Sequence, residues 1–152
     1  MAPLFFSFAQ VREDLRRHVA GLRQEEVWQP AGPNASLGFQ LRHMAGSIDR
    51  LATYLTSAGL SKEQLDFLRA EPEPGAALGD LLAALDETLI RVQYQLRALD
   101  PGTLYEPRYV GRKRLPTSVI GLLVHIAEHT QRHLGQAIDT AKWVSSQRPQ
   151  RQ

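Results

Sequence analysis

The chain has 152 residues, of which 43% are hydrophobic and 22% charged, with a formal net charge of +2 and no cysteine. That is one ordinary globular domain with room for a core, and the missing cysteine excludes disulfides, zinc knuckles and an internal thiol nucleophile. No stretch is apolar for long enough to span a bilayer, and the N-terminus lacks the basic start and cleavage site of a signal peptide, so the expected compartment is the cytoplasm.

The first predicted helix covers residues 4 to 22, where Leu4, Phe8, Val11, Leu15, Val19 and Leu22 recur at helical spacing. A polar stretch with Pro and Gly follows, from Arg23 to Asn34. Ser36 is placed to cap a second helix that runs to about Ser57, with Leu37, Leu41, Met44, Ile48, Leu51 and Leu55 as its apolar stripe. Ser61 heads a short helix through Ala70, which Glu71-Pro-Glu-Pro-Gly75 breaks. A third long helix runs from about Asp80 to Leu99 and stops at Asp100-Pro-Gly102.

The connection 103 to 116 carries Arg108 and Arg112-Lys113-Arg114. Four positive charges in one loop are expected to be a solvated surface. Nucleic-acid binding needs a larger basic face and is not expected. Thr117 or Ser118 caps the last long helix, which continues to about Val144, and the tail from Ser145 is expected to fray. No segment alternates with period two. Four long amphipathic helices give an all-α four-helix bundle, with one domain over 1–146 and a polar tail over 147–152. The long connections leave room for at least one crossover.

Three of the five histidines fall within nine residues of the last helix, as His125-Ile-Ala-Glu-His129-Thr-Gln-Arg-His133. Residues four apart share a helix face, about 6 Å apart along the axis, and two imidazoles at that spacing can close on one cation. Unrolled at about 100° per residue and centred on Leu122, the helix puts His129 and His133 within about 20° of the middle of its apolar stripe. His125 falls toward one edge. Burying two rings without partners would cost a few kcal/mol, and a shared cation removes that cost. His125 and His133 lie roughly 12 Å apart along the axis, too far for three rings of one straight helix to share an ion. A third ligand must come from another helix. Periodicity leaves His18 and His43 both open.

Two motifs decide between them. Leu41-Arg-His43-Met-Ala45, followed much later by His129-x-x-x-His133-x-Gly135-Gln136, resembles the DinB/YfiT-like superfamily, a group of damage-inducible metalloproteins, over nearly the whole chain. The resemblance implies a four-helix bundle of unusual topology that binds one divalent cation through His43, His129 and His133, with His125 beside the site. Neutral nitrogen ligands suit zinc, nickel, iron or copper, with no choice among them, and the resemblance further implies homodimers, for which Phe5, Phe6, Trp28 and Trp143 are candidate exposed apolar residues. Some members of that group resemble thiol S-transferases that use external mycothiol or bacillithiol, others hydrolases. The expected function is therefore a metal-dependent S-transferase or hydrolase acting on a small molecule, with a metal-binding stress protein without turnover as the alternative. Glu128, Gln136, Tyr54 and Tyr105 are candidate pocket groups, and the 103–116 loop is expected to border the pocket mouth.

Overall fold

The computed structural model describes residues 1–149. The four long helices form as α1 (Ala2–Val19), α3 (Leu37–Leu55), α5 (Leu78–Arg97) and α6 (Val119–Ser146). Two short helices sit in the connections, α2 (Gln24–Val27) and α4 (Lys62–Ala70). The starts follow the capping residues. Ser36 accepts from the Phe39 amide and Ser118 from the Gly121 amide, which satisfies a donor in each first turn. Ser61 and Gln64 exchange side-chain and backbone bonds across the start of α4.

Each long helix buries one stripe. Phe8 from α1, Ile48 from α3, Leu89 from α5 and Ile126 from α6 meet in the core with no more than 1% of their surface exposed. Burial of each contributes about 1.5–3 kcal/mol over leaving it in water. The closest helix pairs are α3 with α6, α3 with α5, and α1 with α6, with a slighter contact between α1 and α5. The order around the bundle is therefore α1, α6, α3, α5. Chain neighbours α1 and α3 stand on one diagonal, α5 and α6 on the other. The links that join diagonal helices are residues 20–36 and 98–118.

The long connections hold structure that periodicity did not reveal. Residues Pro107–Val110 (β1) and Leu115–Ser118 (β2) form an antiparallel hairpin with Val110 opposite Leu115. Each strand is only four residues long and contains a proline, so no alternation could be read, and Pro116 is tolerated because a two-stranded sheet consists of edges. The turn closes through Arg114 N–H donating to Gly111 carbonyl. The hairpin is anchored on the bundle by Arg108, whose Nε donates to the Leu55 carbonyl at 2.7 Å.

The start of the tail is not frayed up to Pro149. Arg148 pairs with the buried carboxylate of Glu26 and donates to the Gly21 carbonyl. The Arg148 hydrogen bond, with help from the Arg23 amide and despite burial, holds the Glu26 pKa near 2. Arg151 lies outside the described residues. Among those residues no helix is long and apolar enough to cross a membrane. Of the four aromatic residues expected at the surface, Trp28 is half-buried, with its Nε1 donating to the Ala76 carbonyl at 2.9 Å. Phe5 is half-buried beneath the Arg97 guanidinium. Phe6 and Trp143 remain exposed.

Candidate metal centre

The face of α3 that carries His43 lies against α6, which brings His129 and His133 to it. One ring nitrogen from each of the three lies within 4.8 Å of the other two. His43 Nε2 and His129 Nε2 are 3.1 Å apart. Ring centroids are 4.3 Å apart for His43 and His133 and 4.5 Å for His129 and His133. Ideal tetrahedral ligands at about 2.1 Å from an ion would be about 3.4 Å from each other. The cluster is already near that size.

Two of the three rings are oriented from behind. His43 Nδ1 is 2.7 Å from a Glu71 carboxylate oxygen, and His133 Nδ1 is 2.7 Å from Gln40 Oε1. A carboxylate or an amide oxygen only accepts, so each Nδ1 carries the proton and each Nε2 lone pair faces the cluster. Histidine ligands of metals are held in this way. His43 also stacks on Phe39, with centroids 5.4 Å apart and planes 11° apart. Three imidazoles whose ring nitrogens converge, two of them with the Nε2 lone pair toward the cluster, fit a divalent cation.

Glu71 is 2% exposed and is held on both sides. Arg42, next to His43, donates to the carbonyls of Ala70 and Glu73 that flank it. Arg50, one helical repeat along α3, puts Nη1 2.8 Å from the other Glu71 oxygen. Neither atom has a hydrogen bond of proper angle, so the contact is a close ion pair.

His129 and His133 both have their pKa lowered to about 4, first by burial and then by His43 nearby. Both rings are neutral at pH 7, so a cation displaces no proton from them.

The wheel centred on Leu122 is off by about 60°. The buried residues of α6 include Leu123, Thr130, Leu134, Ala137 and Ala141. Thr130 is fully buried because its hydroxyl donates to the Ile126 carbonyl, which lets a polar residue occupy the core stripe. The histidines consequently lie on the flank of that stripe. All three are half-buried, within reach of solvent. The fourth, His125, is also half-buried and exposes more of its surface, with its ring centroid 5.4 Å from that of His129.

Other candidates lie elsewhere. Glu128 pairs with His125 and Arg132 on the exposed side of α6. Gln136 and Tyr105 are exposed. Tyr54 lies eleven residues along α3 from His43, about 16 Å by helical rise. The hairpin is anchored at Leu55, farther still along α3, while Leu104 of the 103–116 connection lines a cavity with Ala127 and Glu128, between His125 and His129 on α6. The segment that follows α4 carries Glu71 to His43. His18 is at the C-terminal end of α1, outside the cluster.

A family model of the DinB superfamily matches residues 7–137. The chain belongs to the DinB superfamily. Among solved structures, this DinB-superfamily chain is similar to YfiT from Bacillus subtilis, with a TM-score of 0.70 and 16% identity, over 93% of this chain and 85% of that one. YfiT is described as a probable metal-dependent hydrolase with an unusual four-helix bundle topology. At that identity the likeness speaks for the fold. No curated protein matches the sequence.

Sequence reasoning missed the residues behind the three histidines. Gln40 and Arg50 share the His43 side of α3, and their spacing of three and seven residues from it was a usable signal. Glu71 stands in a segment read only as a helix breaker. Gly46 shows how tightly this DinB centre is packed. A Cβ there would lie 2.6 Å from both Arg50 Nη1 and the Glu71 carboxylate. At Gly135, also in a helix, a Cβ would meet nothing within 4 Å. Gly135→Ala is expected to stabilise the fold by about 0.5–1 kcal/mol through helix propensity. Gly46→Ala should destabilise by about 1–3 kcal/mol despite the same propensity gain. Urea unfolding of the metal-free variants measures both, and equal shifts for the two would show that the pocket around Arg50 and Glu71 is loose.

Proposed function

We propose that this DinB-superfamily protein holds one divalent cation on His43, His129 and His133 and is a metal-dependent enzyme, of the hydrolase or thiol S-transferase type, acting on a small molecule. The observation that carries the reading is the convergence of three nitrogens at a half-buried place, two of them aimed by Glu71 and Gln40. Three protein ligands with an open side are the pattern of catalytic rather than structural sites. The likeness to YfiT supports the hydrolase branch.

When present, a divalent cation at such a site supplies Lewis acidity, which polarises a carbonyl or makes water or a thiol nucleophilic near neutral pH. Zinc, nickel and iron all suit neutral imidazoles. The protein's own contribution is to bring three ring nitrogens together, with Glu71 and Gln40 holding the His43 and His133 protons on Nδ1, and to keep His125 beside them. His125, with Glu128 3.2 Å from its Nδ1, is placed to take up a proton at the edge of the site. A thiol would have to come from outside, since the chain has no cysteine. The cytoplasm, where small thiols stay reduced, is the matching setting.

The test is metal analysis of protein purified without an affinity tag, then a screen of the loaded protein. Water, glutathione, bacillithiol and mycothiol serve as nucleophiles against esters, amides and alkyl electrophiles. Turnover that a chelator removes and the cation restores is expected. Stoichiometric metal with no turnover in any combination would favour the metal-binding protein without catalysis. We also propose a homodimer in which the exposed Phe6 and Trp143 take part; light scattering giving a mass near the monomer's 17.0 kDa would rule that out.

A further inference from the structure

The basic hairpin does not behave as a uniformly solvated loop. Of its four cations, Arg108 is committed to the Leu55 carbonyl and to Glu106. Arg112 and Arg114 have no acidic partner among the described residues. Both line a cavity of about 470 Å³ between the hairpin, the end of α3 and the start of α4, together with Tyr54, Leu60, Leu65 and Tyr109. The lining contains no carboxylate. The Arg114 guanidinium sits 4.5 Å over the Tyr109 ring, which fixes its plane and leaves its outer N–H groups free.

The backbone is shaped around the same cavity. Ser57 and Arg114 are the two non-glycine residues with left-handed φ among the described residues, at 61° and 47°, and both line it, as does Gly111 at φ 69°. In Ser57 and Arg114, which are not glycine, such conformations are strained, and strain of this kind collects at binding surfaces.

We infer that this cavity is a second binding site, separate from the histidine cluster, for a small organic oxyanion: a phosphate or carboxylate group carried on a flat apolar body. Two unneutralised guanidinium forks match an oxyanion in charge and geometry. The tyrosines and leucines take the apolar part, and the volume falls in the range of small-molecule sites, about 300–1,000 Å³. A nucleic acid strand needs a longer basic track than two arginines provide.

Titration calorimetry on the full chain, kept metal-free with a chelator, tests this with phenyl phosphate, benzoate, inorganic phosphate, benzyl alcohol and a single-stranded oligonucleotide. At least one of the two aryl anions should bind at one site per chain, and which binds tighter tells phosphate from carboxylate. Arg112→Ala and Arg114→Ala should each weaken it by about tenfold. Lys113→Ala, an equal charge change on the same turn outside the cavity, should weaken it by less than about twofold. His129→Ala should leave it unchanged, which separates this site from the metal reading. The inference is overturned by no binding of either aryl anion or by equal binding of benzyl alcohol. Affinity for inorganic phosphate or for the oligonucleotide that matches the aryl anions would overturn it too, as would full affinity in an Arg112→Ala/Arg114→Ala double variant.

Discussion

Replacing His129 with alanine is expected to abolish stoichiometric metal while leaving the bundle folded. The ring supplies one of three converging nitrogens, and its Nε2 faces His43 Nε2 at 3.1 Å. Apparent binding energies of fully built zinc sites run to about 10–16 kcal/mol, so one ligand among three or four is worth on the order of 10³-fold in affinity. The ring lies on the flank of the buried stripe of α6, and its loss opens no cavity in the core. Helix content by circular dichroism should therefore match that of the parent. His18→Ala and His125→Ala should both keep one equivalent of metal, the first because the ring is remote, the second because it stands beside the cluster and not in it. Elemental analysis of the three variants decides. Full occupancy in His129→Ala would place the ion elsewhere, and loss in His18→Ala would overturn the role of His43.

The second large effect is expected at Glu71, which touches no metal. Glu71→Ala removes the acceptor that aims His43 and also, among the described residues, the only carboxylate paired with Arg50, 2.8 Å away and itself 8% exposed. A guanidinium left buried without its partner costs about 3–5 kcal/mol. Loss of the group that orients a ligating histidine lowers metal affinity by about 10–100-fold. The two effects can be parted. Arg50→Met in the Glu71→Ala background should recover most of the stability, since the stranded charge is gone, and none of the metal affinity. Glu71→Gln keeps an acceptor for His43 and should fall between parent and alanine in affinity. Urea unfolding and competition with a chromophoric chelator read the two quantities separately. If the double variant regains both, Glu71 serves the fold and not the site.

The legible parts of this protein were those written in one stretch of chain. Phe8, Val11 and Leu15, or Leu81, Leu85 and Leu89, declare their helices by spacing, and Ser36, Ser61 and Ser118 mark where helices begin. The His129–His133 pair was legible because both rings lie on one turn-to-turn ridge. His43 was not legible from periodicity, since it stands off the main stripe of α3; motif resemblance placed it. Glu71 could not be read at all. It is 28 residues from His43, in a segment that looks like a helix stop, and only the folded chain shows that Arg42 reaches over to fix it. The hairpin escaped for the opposite reason, because four-residue strands with a proline in each carry too little pattern. The misplacement of the α6 stripe traces to the choice of Leu122 as its centre, since Leu123, Leu134 and Ala141 are buried well round from it, together with Thr130, whose burial depends on a bond to its own helix that composition does not reveal.

The diagonal arrangement of α1 with α3 and of α5 with α6 also sets a timetable. As the chain leaves the ribosome, α1 emerges with no closely packed neighbour, because its main partner is α6, about a hundred residues farther along. Only α3 and α5 can pair early. The first helix must wait, amphipathic and uncovered, through about a hundred residues of synthesis, on the order of five to twenty seconds at bacterial elongation rates. The ligand set is on the same clock, since His43 precedes His129 by 86 residues. A nascent chain arrested before residue 129 should bind neither the ion nor its own N-terminus. A site built on His43, His129 and His133 can load its ion only after His133 has been made.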